Sequence, residues 1–239
     1  MTLQGKFRRG LLATTITVAA ASGAHGGESD IAPFSAHYTA EWRSITVGSS
    51  DLELGADGQP DHYVYTWKIT ARGIFRLIYA KAVTQKSWFS VHGGHVVPGR
   101  YRADDGSATV ALDFDWATGR ARGTSAGKPI DLEIREGTQD LMSIQVEIMQ
   151  DLRMGGLPKT FRIVDKDEVK EFDYADEGSA RVRTDLGELE ARVISSHRAG
   201  SNRILRMWFA PSLGFVPVQA ERMRGGDLEF AMRIKALSR

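Results

Sequence analysis

The chain contains no cysteine in its 239 residues. That excludes a disulfide framework and thiolate ligands for zinc, and leaves stability to a hydrophobic core. Charge of one sign is also scarce, with 31 basic residues against 30 acidic ones for a net charge of +1. So even a balance argues against a nucleic-acid surface, which shows as a basic excess, and against a highly charged disordered tail. The G-x-S-x-G turn that exposes a hydrolase nucleophile is missing: Gly48-Ser49-Ser50 and Gly106-Ser107 do not match it. There is no internal repeat, and no linker divides the chain.

What is present begins with an export signal. Lys6, Arg8 and Arg9 form a positive segment, Leu11 to Ala21 follows without a charge, and Ser22-Gly23-Ala24 supplies small residues for cleavage. The apolar stretch is shorter than the roughly 20 residues of a permanent span, so no integral membrane helix is expected. With no cysteine after it, no lipoprotein anchor can form. Cleavage near Ala24 removes three positive charges and leaves 28 basic against 30 acidic residues. The expected organisation is a signal peptide over 1–24, a polar, disordered lead-in over 25–33 and one β-rich domain over 34–239. The expected location is the periplasm.

From Phe34 the apolar residues recur with period two, the mark of half-buried strands. Phe34, Ala36, Tyr38, Ala40 and Trp42 alternate with polar neighbours, as do Tyr63, Tyr65, Trp67, Ile69 and Ala71. Gly93-Gly94, Thr118-Gly119 and Gly225-Gly226-Asp227 read as hairpin turns, and so does Asp176-Glu177-Gly178. Pro98 and Pro217 suggest bulges or edges. Ile74 to Tyr79 is a brief apolar run, read as a short helix or a loop that plugs a cavity.

One stretch has helical period. Leu141, Ile144, Ile148 and Leu152 fall on a stripe between Asp140 and Met154. Thr138 or Asp140 can cap its start, and Gly155-Gly156 ends it. About a dozen strands with short turns imply antiparallel neighbours, and a sheet that large must curl, split or close. The expected fold is therefore mainly β: a curled antiparallel sheet forming an open or spiral barrel, with one main helix (about 140–154) packed on or inside it.

Clusters that can carry chemistry have plainer readings. His92-Gly93-Gly94-His95 offers two imidazoles, but no third ligand is spaced by rule and the glycines read as a turn. Asp113 and Asp115 fall on the polar face of an alternating strand. Ser143 lies at a helix start. Arg203, Arg206, Arg222, Arg224 and Arg233 fit an exposed sheet face, or an acidic partner or lipid headgroup. No catalytic, metal or cofactor residue is assigned.

Four short motifs in order suggest a family. They are a strand running from Tyr38 to Gly48, Pro98-Gly99-Arg100-Tyr101, Asp140-Leu141-Met142-Ser143, and Met207-Trp208-Phe209-Ala210-Pro211 followed by Phe215-Val216-Pro217-Val218. With these the chain resembles the DUF3108 family of exported bacterial proteins of unknown function, over roughly Phe34 to Leu237. The resemblance implies an open or spiral β-barrel, related in shape to periplasmic lipoprotein carriers, and brings no catalytic residue.

A sheet rolled around a helix that only partly fills it leaves an apolar groove. The expected function is non-enzymatic: a periplasmic binding or scaffold protein that holds a lipid acyl chain or a partner peptide. An envelope hydrolase with a cryptic polar site, and a structural protein joining a complex by a β-edge, are the alternatives. Candidate groove residues are Tyr38, Trp42, Tyr65, Trp67, Phe75, Ile78, Ile144, Ile148 and Trp208. A lipid or an envelope protein is the expected partner.

Overall fold

The computed structural model describes residues 31–77 and 82–239. The signal segment, most of the lead-in and the candidate Ile78 lie outside the described residues. Fifteen strands occur among them, in a single sheet. The first eight form one meander: β1 (Phe34–Trp42), β2 (Ile45–Ala56), β3 (His62–Ala71), β4 (Val83–His92), β5 (His95–Asp104), β6 (Thr109–Asp115), β7 (Arg120–Ser125) and β8 (Lys128–Glu133). The second meander comprises the two-residue β9 (Gln139–Asp140), then β10 (Thr160–Asp165), β11 (Glu168–Thr184), β12 (Gly187–His197), β13 (Arg203–Ala210), β14 (Val216–Arg224) and β15 (Asp227–Ser238). The helix α1 (Ser143–Met154) sits between β9 and β10.

The two meanders are joined by their outermost strands. β1 pairs antiparallel with β15, Tyr38 opposite Ile234, so the sheet runs from β8 through β1 and β15 to β9. Its two edge strands are neighbours in sequence. Every pairing is antiparallel except β9 with β10. The sheet does not close into a barrel. It is a mainly β, open, curled architecture with the helix in its concavity.

Local chemistry explains the turns and bends. Between β4 and β5, Gly93 and Gly94 have φ of +59° and +86°. Two successive positive φ values define the hairpin turn whose twist matches its strands, and glycine adopts them without strain. Pro98 and Pro217 lie where the register shifts between β4 and β5 and between β13 and β14, so each marks a bulge. At Gly48 a Cβ would lie 2.1 Å from the Thr70 carbonyl oxygen, so β2 approaches β3 in a way only glycine allows.

One expected turn is absent. Asp176-Glu177-Gly178 is an irregularity inside the single long strand β11, not a hairpin. The segments on both sides pair with β12, so the chain continues forward, and the Asp176 carboxylate accepts the Gly178 N–H at 2.9 Å. Ile31, within the stretch expected as a lead-in, is 7% exposed and packs into the core.

Tyr38, Tyr65, Leu52, Leu54, Leu112 and Phe209 are among the largest fully buried side chains. The Tyr38 hydroxyl donates to the Pro217 carbonyl at 2.7 Å, and the Tyr65 hydroxyl to Gln145 Oε1 on the helix at 3.3 Å.

The helix is anchored at its start by a buried carboxylate. Asp140 Oδ1 accepts the Met142 and Ser143 N–H groups at 2.8 Å each, and Ser143 Oγ accepts the Asp140 N–H at 2.9 Å. This is a reciprocal capping arrangement. Asp140 Oδ2 accepts the Ser87 hydroxyl at 2.6 Å, which fixes the first turn to β4. At the other end Gly155 is left-handed and the Gly156 N–H reaches the Asp151 carbonyl at 2.9 Å, closing the helix. The helical stripe begins at Asp140 in sequence, but the helix begins at Ser143 because Gln139 and Asp140 pair with β10.

Burial pushes the Asp140 carboxyl up to about 6, against the hydrogen bonds that favour its charge. The unfolded group titrates near 3.8, so the folded state holds the extra proton in between. This group therefore makes stability fall as pH rises from about 4 to about 6, and it contributes no slope above that window. We expect Asp140→Asn, which keeps a capping acceptor, to flatten that slope in urea midpoints taken across pH 4–7. A wild-type slope unchanged in the variant would contradict this. Gly48→Ala should cost about 1–3 kcal/mol by forcing β2 away from β3, measured by the same unfolding.

Candidate functional site

The helix presents three faces to the sheet, and they are not equally covered. Val146, Met149 and Gln150 face Ile31, Phe34, Leu213 and Val216, with a gap of only about 20 Å³ between them. That is room for a single water at most. Glu147 and Asp151 face the start of β5, where the Val96 N–H donates to Glu147 Oε2 at 2.6 Å. The third face carries Ile144, Gln145 and Ile148, with Leu141 just before the helix on the same side. It meets a cavity of about 430 Å³.

Opposite that face the wall is built from alternate residues of four strands. Ile163 comes from β10, Phe172 and Tyr174 from β11, Ile194 from β12, and Met207 and Phe209 from β13. The pleat puts every second side chain on the concave face, so each strand contributes one or two. The cavity volume falls within the roughly 300–1,000 Å³ of small-molecule sites.

The mouth is polar and cationic. Lys166, Lys170, Arg198, Arg203 and Arg222 line it, against the single carboxylate of Asp165. Lys170 is held between Asp165 at 2.7 Å and Glu168 at 2.9 Å. Arg222 pairs at 2.8 Å with the buried Glu229, which Arg203 also approaches at 3.9 Å. Lys166 and Arg198 form no ion pair among the described residues. Leu205, 37% exposed, stands at the entrance. The groove thus joins an apolar floor to a positively charged rim, an arrangement that can take an amphiphile with an anionic end.

Of the sequence candidates, Ile144 and Ile148 line the groove. Tyr38 and Tyr65 are fully buried elsewhere in the core, and burial pushes the pKa of each well above the ordinary value for tyrosine. Trp67 donates its indole N–H to Ser50 Oγ at 2.6 Å. Trp42 is 40% exposed on β1. Phe75 is half-buried in the short 3-10 turn Gly73–Leu77. Trp208 lies between Met207 and Phe209 and does not line the groove. Asp113 and Asp115 are on the outer face, paired with Arg102 and Arg122.

The residues that sequence reasoning missed are Ile163, Phe172, Ile194 and Met207. Their alternation was visible, but it is shared by every strand of the sheet. Lys170→Met should destabilise the fold by about 1–3 kcal/mol, because it leaves Asp165 and Glu168 without their cation in a half-buried setting. Urea unfolding reads this, and an unchanged midpoint would mean that the three charges are fully solvated.

Comparison with known proteins shows the family and little more. The sequence pattern of the family described as "Protein of unknown function (DUF3108)" matches residues 37–232. No curated protein matches the chain. Among solved structures, the chain is similar to a Bacteroides fragilis protein described as exported and as having a YmcC-like fold. The two share 8% identity and a TM-score of 0.38, covering 86% of this chain and 95% of the other. It is also similar to a Parabacteroides distasonis protein described as a lipoprotein, at 7% identity and a TM-score of 0.37, covering 87% and 96%. Among the described residues no helix is long and apolar enough to cross a membrane. The chain belongs to the DUF3108 family.

Proposed function

We propose that this DUF3108 member is a non-enzymatic binding protein of the bacterial cell envelope. It holds the hydrocarbon chain of an anionic amphiphile between α1 and strands β10–β13. The observation that carries this reading is the imbalance around the helix: about 20 Å³ is left empty on one face and about 430 Å³ on another. The part of the cavity formed by Ile144, Ile148, Ile163, Phe172, Ile194 and Met207 gains nothing from contact with water, since those side chains cannot hydrogen-bond it. An alkyl chain restores the missing dispersion contacts and leaves water at the same time.

The charge at the mouth supports an anionic head. Lys170 is already held by Asp165 and Glu168, and Arg222 by Glu229, but Lys166 and Arg198 form no ion pair among the described residues. A carboxylate or phosphate placed there gains charge-assisted hydrogen bonds. An export signal in the leader supports an envelope location.

The test is saturable binding of cis-parinaric acid, a fluorescent fatty acid, to delipidated protein. The wild type should bind it, and Leu205→Trp, which fills the entrance from an exposed position, should weaken binding about tenfold, worth about 1.4 kcal/mol. Reversing the rim with Arg198→Glu should weaken it and reduce its salt dependence. No saturable binding by the wild type, or equal binding by Leu205→Trp, overturns the proposal.

A further inference from the structure

The polar face of α1 carries a second group of side chains, away from the groove. Glu147 and Asp151 stand one turn apart on the helix and are therefore surface neighbours on one side of it. His95, the first residue of β5 after the Gly93-Gly94 turn, reaches the same place, with Nδ1 2.9 Å from Glu147 Oε1. One ligand-capable atom from each of the three lies within 4.8 Å of the other two.

Asp151 lacks what a buried carboxylate needs. It is 4% exposed, and its Oδ2 is buried with no hydrogen-bond partner among the described residues. An ionised carboxylate in that condition is costly unless a cation or a proton meets it. Burial and the neighbouring Glu147 charge push Asp151 up to about 7, while the bond to Glu147 raises His95 above its ordinary value. Two carboxylates and one imidazole thus share a space in which Asp151 Oδ2 has no hydrogen-bond partner among the described residues. The exposed Glu136, on the loop between β8 and β9, adds to the negative field at His95.

We propose that His95, Glu147 and Asp151 form a binding site for a divalent transition-metal ion of the Zn²⁺ type. One nitrogen and two oxygen donors suit such an ion, and a fourth position stays open to water on the side where His95 is 61% exposed. An imidazole donor favours Zn²⁺ over Mg²⁺ or Ca²⁺, which take oxygen ligands. Glu147 keeps its Oε2 bond to the Val96 N–H, which orients the carboxylate so that Oε1 faces the ion. Such ligands bind in their deprotonated forms, so uptake of the ion weakens as pH falls. The ion supplies the charge that Asp151 Oδ2 now lacks and ties the helix to β5. None of this rests on what occupies the groove.

The experiment is calorimetric titration of metal-stripped protein with Zn²⁺, and with Mg²⁺ in parallel, followed by thermal unfolding. The wild type should take up one equivalent of Zn²⁺, release protons and unfold at a higher temperature, with Mg²⁺ doing neither. His95→Ala removes a mostly exposed side chain, so its fold should survive, as far-UV circular dichroism checks. It and Asp151→Asn should each weaken Zn²⁺ binding by about tenfold or more. His92→Ala, which alters a histidine outside the cluster, should leave binding unchanged. Absence of stoichiometric uptake, uptake at several weak sites, or uptake that survives His95→Ala overturns the proposal.

Discussion

Twelve residues of helix are what this fold places in the hollow of a fifteen-stranded sheet. Where that helix sits decides which side chains are packed and which are left facing space. Its position is set by Asp140, a fully buried carboxylate that caps the first turn and takes the Ser87 hydroxyl from β4. Each of these bonds neutralises a group that would otherwise be buried unpaired. The capping residue is thus also the tether that presses the helix toward β4 and β5.

Pressing the helix to one side has two consequences. The β1–β5 flank closes around it, with Tyr65 reaching Gln145 and Glu147 taking the Val96 N–H. The β10–β13 flank stays apart from it, because the ties to β4 and β5 hold the helix away from that side. Filling that gap with protein would need larger side chains than Ile144, Ile148 and Ile163. The cationic rim belongs to the same flank, since the turns after β10 and β12 and the strands β13 and β14 carry Lys166, Arg198, Arg203 and Arg222 to its mouth. Floor and rim are therefore one feature, set by where the sheet is not filled.

The class of fold was legible because its signals are local. Period-two runs, glycine turns and one helical stripe each report a few neighbouring residues, and they survive in the structure with small changes such as the helix starting at Ser143. Asp176-Glu177-Gly178 misled because a turn composition also suits a bulge, and only the shared partner β12 distinguishes the two. The groove was harder to place. Aromatic residues such as Tyr38, Trp42, Tyr65 and Trp67 dominate the first meander and drew attention to it, yet the gap lies in the second. Nothing in a strand's own pattern tells which flank a helix will lean on. The meeting of His95 with Glu147 and Asp151 was equally hidden, since it joins residues some fifty positions apart through the β4–β5 turn.

The central claim is that empty apolar volume lies on one flank of the helix and is meant to be filled. It is tested most directly by methyl NMR of isoleucine-labelled protein during titration with a long-chain fatty acid. The account predicts shifts concentrated at Ile144, Ile148, Ile163 and Ile194, with Ile234 on β15, outside the cavity lining, unmoved. Shifts that are absent, or spread evenly over the isoleucines of both flanks, would contradict it.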